Sequence, residues 1–109
     1  MKSPSTLLQE IEIYIIQPLS LEKEKIYQDL IDTEKLRSQL VKELMIAKHE
    51  FVSAQAKYRR PSEKGLTDFD RRILTNELTN DNQVYYETLD HYFLLLSDRR
   101  ESLLALSSS

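Results

Sequence analysis

The 109-residue chain has no cysteine, no tryptophan, one glycine and three prolines. Without cysteine there is no disulfide, no thiolate nucleophile and no cysteine-based metal site, and the composition suits a reducing, cytoplasmic setting. Glycine and proline make most turns, so their scarcity means few turns and long elements. That excludes most β-rich and α/β architectures, which need frequent turns. One glycine cannot build a phosphate-cradling loop. No apolar run approaches the roughly 18 residues that span a bilayer. The N-terminal "LLQEIEIYIIQPL" is interrupted by Glu10 and Glu12 and lacks a following cleavage site, so it does not read as a signal peptide. A net charge of −3 has the wrong sign for a surface coated to bind nucleic acid.

What is present is helical periodicity. Ser3 before Pro4 reads as an N-cap and first helical residue, and Thr6 with Gln9 has capping-box spacing. Leu7, Leu8, Ile11, Tyr14 and Ile15 then share a face. Ile13 and Ile16 make this first helix, about residues 4–17, apolar on more than one side. Pro18 cannot supply the amide that would bond the Tyr14 carbonyl, which predicts a kink or break there.

From Leu19 to Arg60 the pattern is a heptad. Leu19, Ile26, Thr33, Leu40, Ala47 and Ala54 recur every seven residues, interleaved with Lys23, Leu30, Arg37, Leu44, Phe51 and Tyr58. A second set (Tyr27, Ile31, Leu36, Val41, Met45, Val52) flanks it, so the stripe is wider than a two-stranded seam. Pro61 stops this helix and Gly65 supplies positive φ. Thr67 with Asp70 then restarts a helix in capping-box spacing. The last helix, 68–106, carries Tyr85, Leu89, Tyr92, Leu96, Arg99, Leu103 and Leu106 at threes and fours. Its "TNELTNDN" segment predicts a bend or break near 80–82. The closing serines 107–109 read as a disordered tail.

The expected fold is therefore all-α: one domain over residues 1–106, a long antiparallel helical hairpin or coiled-coil-like bundle. Its kink lies at Pro18 and its tip at 61–67. Leu30, Leu40, Leu44, Phe51, Tyr58, Tyr85, Leu89, Tyr92 and Leu96 are the expected helix–helix or partner interface. Arg37, a charge within the seam, is costly unless paired and often marks a chosen register.

No residues form a recognisable reaction centre. His49 and His91 lack the spacing of a paired-histidine zinc helix, and no nucleophile elbow or P-loop occurs. The chain reads as a non-enzyme with no cofactor, no metal and no small-molecule substrate. One feature is chemically distinctive: Lys57, Arg59, Arg60 and Lys64 crowd the tip with only Glu63 opposing them. Such a cluster suits an anionic membrane surface, at about 1 kcal/mol per base.

The segments "YIIQPLSLEKEKIYQDL" and "EKLRSQLVKELMIAKHEFVSAQAKYRRPSEK" resemble the middle of a BAR domain of the BAR–pleckstrin homology kind. The matching residues are Pro18-Leu19 at the start of a long helix, then Ala56-Lys57-Tyr58 and the bases Arg59, Arg60 and Lys64 at the tip. "NDNQVYYETLDHYFLLLSDRRESLLAL" is similar in style to the family's third helix. The chain departs from the family in having only about fifteen residues before the "PL" and no pleckstrin homology domain. The resemblance implies a dimeric, peripheral membrane-associated helical scaffold. The alternative is a coiled-coil subunit, adaptor or chaperone of a protein complex with no lipid role. In both cases the partner is a copy of the chain or another helical protein.

Overall fold

The computed structural model describes residues 3–58 and 67–108, which form four helices: α1 (Pro4–Ile15), α2 (Lys23–Tyr58), α3 (Asp68–Leu78) and α4 (Asn80–Ser107). Among the described residues there is no strand. The antiparallel hairpin expected from the heptad is present as α2 packed along α4. The predicted tip at 61–67, apart from Thr67, lies outside the described residues.

α1 begins where Ser3 accepts a hydrogen bond from the Thr6 amide at 3.2 Å, with Pro4 in the first turn. Ser3 is thus the cap, and Thr6 lies inside the first turn rather than opening a capping box with Gln9. The helix ends before Pro18, as the missing amide requires. The next helix begins at Lys23, not at Leu19. Ser20 diverts the chain between them by accepting from the Glu22 amide at 3.1 Å. Such local side-chain bonding competes with helix. The Glu22 carbonyl then receives the Ile26 amide at 3.0 Å, opening α2.

α2 has 36 residues and is about 54 Å long. Its buried residues, Ile26, Thr33, Leu40 and Ala47, fall every seven positions. Leu89, Leu96 and Leu103 answer them on α4, also seven apart and fully buried. The core is therefore a ladder about one side chain wide. α1 lies in one groove of the hairpin, burying Leu7 and Ile11. It runs antiparallel to α2 and parallel to α4, since Pro4 lies beside Ala47 and Tyr85 while Tyr14 reaches Asp29 and Arg99.

α3 starts where Thr67 accepts from the Asp70 amide at 3.1 Å. The expected break in the last helix is a bend centred at Thr79, one residue before 80–82. Backbone bonding continues through it, from the Thr79 amide to the Thr75 carbonyl (2.9 Å) and from the Gln83 amide to the Thr79 carbonyl (3.0 Å). The Thr79 hydroxyl also donates to that Thr75 carbonyl at 2.7 Å. This back-bonding is a known cause of helix bending. At the far end Ser107 is the last residue of α4 and Ser108 its cap, so the helix runs beyond the predicted limit of 106.

The resulting body measures 65 × 29 × 17 Å, with a radius of gyration of 19.1 Å. A compact domain of this length has about 13 Å. The molecule is a rod.

Candidate interaction surfaces

The two flanks of the α2–α4 hairpin differ. On the α1 flank, polar side chains lock α1 down. Tyr14 donates its hydroxyl to the Asp29 carbonyl at 2.8 Å and lies 2.6 Å from the buried Thr33 hydroxyl. A phenol has one proton, so Thr33 donates to Tyr14 while Tyr14 donates to Asp29. Arg99 stacks on the Tyr14 ring, 4.4 Å from its centroid. It donates to the carbonyls of Ile15 (3.3 Å) and Gln17 (2.9 Å). A cation thus sits at the negative end of α1 and serves carbonyls that the helix leaves unpaired. Tyr92 donates to the Glu12 carboxylate. That bond, with burial and the Glu12 charge, pushes the Tyr92 phenol above its usual range. Burial first, then Glu43 and Glu50, does the same to Tyr85.

On the opposite flank no helix of the described chain covers the groove. Phe51 stacks on Tyr86 with centroids 6.1 Å apart. The Arg37 guanidinium lies over the Phe93 ring at 5.1 Å, and its Nε donates to Ser97 at 3.3 Å. Glu34 pairs with Arg37 at 2.9 Å and also with Arg100. Arg37 is thus paired, as a charge in a seam requires. These partly exposed pairs contribute under about 1 kcal/mol each and act as register marks between α2 and α4. A shallow groove of about 290 Å³ opens here, lined by Glu34, Arg37, Ser38, Val41, Lys42 and Phe93. Beside it α2 exposes Tyr27, Ile31, Met45 (67% accessible) and Val52.

A third surface lies where α1 meets α4. There a groove of about 510 Å³ is lined mainly by Ile13, Ile15, Ile16, Tyr92 and Leu95. Ile16 is 80% accessible. This is the second apolar side of α1 that the sequence carries.

The predicted interface residues divide three ways. Leu40, Leu89 and Leu96 are the buried intramolecular core. Leu44 and Tyr92 pack partly against that core, and Leu30 and Phe51 are half-buried. Tyr85 is exposed beside Pro4 and Ala47. Tyr58 is the last residue of α2. Of the four tip bases, Lys57 lies exposed in the final turn of α2. Arg59, Arg60 and Lys64 lie outside the described residues. The roles of Tyr14, Thr33 and Glu12 are not marked by the heptad. The one available signal was a tyrosine hydroxyl on an otherwise apolar face, which needs a partner when buried.

His49 and His91 are both exposed; His91 meets Tyr92 edge-on at 6.2 Å. Among the described residues no cluster of His, Cys, Asp or Glu is arranged to hold a metal ion. No described helix is long and apolar enough to cross a membrane. Comparison with protein-family models, curated proteins and solved structures finds no match.

Proposed function

We propose that the protein is a non-enzymatic helical scaffold that works by docking a helical partner on the uncovered flank of its hairpin. The observation that carries this is the exposed row Tyr27, Ile31, Met45 and Val52 beside the Val41–Phe93 groove. The row follows helical spacing, so a partner helix lying along α2 meets every member of it. Apolar side chains exposed at helical spacing along one helix suit a partner helix laid against it. A photo-cross-linking residue at Met45 tests the reading in cells. Discrete protein adducts from Met45, absent from the same probe at Asp98, are expected. A probe that yields no protein adduct at Met45 rejects it.

A second reading follows from the end of the rod. Lys57 lies in the last turn of α2, and the sequence adds Arg59, Arg60 and Lys64 after it, ahead of α3. With the BAR resemblance, this supports a peripheral contact with anionic membrane. Flotation with vesicles containing acidic lipid tests it. Binding should weaken steeply between low and physiological salt and vanish when all four bases become Glu. Failure of the unmodified protein to float even at low salt rejects it.

A further inference from the structure

We propose that the uncovered groove receives a second copy of this chain, related by a two-fold axis along the rod, so that each α2 lies over the α4 of the other copy. This rests on the helix-docking reading and names its occupant and geometry.

Charge selects the pairing. α2 holds seven basic and six acidic residues, whereas α4 holds two basic and five acidic. An axis across the rod stacks α4 on α4 and sets one net-acidic helix against another. An axis along the rod sets the near-neutral α2 against the acidic α4 twice. It also preserves height. Within the chain Glu34 meets Arg100, Arg37 meets Ser97 and Phe93, and Phe51 meets Tyr86. The same levels then face one another between copies. Lys48, one heptad beyond Val41, comes over Asp90 of the second copy, and Glu34 comes over its Arg100. A two-fold interface must be self-complementary.

Area agrees. The chain exposes 7991 Å², against about 6300 Å² for a compact monomer of 12.9 kDa. The excess is about twice the roughly 800 Å² that each partner gives to a standard interface.

The absence of native cysteine makes the test direct, because an introduced thiol is unique. Val41→Cys and Ser97→Cys chains are mixed and treated with a short bismaleimide, while sedimentation equilibrium reports mass. The expected result is a dimer in which Val41→Cys couples to Ser97→Cys. Val41→Glu should weaken self-association roughly tenfold or more, as charges placed at interface centres do, with helix content unchanged. Gln9→Glu, exposed on α1 and so on the covered side of the rod, should leave association unchanged. A chain that stays monomeric at hundreds of micromolar overturns the proposal, as does Val41→Cys coupling to itself in place of Ser97→Cys. If the Met45 probe still captures another protein in that case, helix docking survives and only the second copy is lost. If it captures nothing, both fall.

Discussion

Arg99 and Tyr14 join the first and last helices: the guanidinium lies 4.4 Å from the ring centroid while its Nη1 closes the carbonyl end of α1. Without this contact α1 is a 12-residue helix, and isolated helices of that length are marginal in water. Its apolar hold on the hairpin is mainly Leu7 and Ile11. Arg99 therefore contributes directly to keeping α1 docked.

Arg99→Ala should cost about 1–3 kcal/mol, the range for hydrogen bonds to charged groups with a stacked cation added. Arg99→Lys should recover only part, because an ammonium cannot stack and fork together. The readout is hydrogen exchange. Amides of α1 should lose protection far more than those of α2 near Leu40, reporting local opening rather than global unfolding. Equal loss in both helices would show that α1 does not open separately.

Core truncations should separate the buried ladder from its flank. Leu40→Ala and Leu96→Ala each remove a fully buried side chain and should cost about 2–5 kcal/mol. Leu44→Ala, only partly buried, should cost about 1–2 kcal/mol by its smaller area. Urea denaturation measures all three. If a second copy covers the Leu44 flank, the Leu44→Ala cost grows with protein concentration while the Leu96→Ala cost does not.

The hairpin itself was legible in the sequence because its core is a strict seven-residue repeat. Ile26, Thr33, Leu40 and Ala47 are the buried positions, and they are the ones the repeat names. Less legible was the division of labour on α4. Tyr86, Phe93 and Arg100 face α2, whereas Tyr92 and Arg99 face α1. A linear pattern shows one wide apolar stripe in such a case, since both neighbours draw on adjacent positions. The start of α2 was misplaced by four residues. Leu19 fits the heptad, but the Ser20 hydroxyl offers Glu22 a competing local bond. The position of Thr79 in the bend depends on a hydroxyl choosing its own carbonyl, which periodicity does not encode.

Thr79→Val should straighten the bend. The Thr75 carbonyl keeps the Thr79 amide as a donor, so removing the hydroxyl strands no polar group. α3 then swings relative to the C-terminal half of α2, against which it packs. Spin labels at introduced cysteines replacing Lys48 and Asn76 should report a changed distance between the two helices. An unchanged distance would place the cause of the bend elsewhere.

The Tyr92–Glu12 bond should make docking of α1 sensitive to alkaline pH. Tyr92 donates to a carboxylate, so the folded protein favours the neutral phenol, and its pKa lies above that of an ordinary tyrosine. The folded state therefore holds this proton at pH values where the unfolded chain has released it. Stability then falls with rising pH across that interval. The contribution is fully present below the unfolded phenol's pKa and is lost as pH climbs through the folded one. Tyr92→Phe removes both the bond and its titration. The variant should be less stable than the parent near neutrality and should converge on it at strongly alkaline pH. Tyr85, whose phenol is raised by burial and by Glu43 and Glu50, stays in both proteins and gives a shared background. Urea titrations of parent and variant at neutral and alkaline pH check this. A stability difference that stays constant across that range would show that the Glu12 contact contributes packing alone.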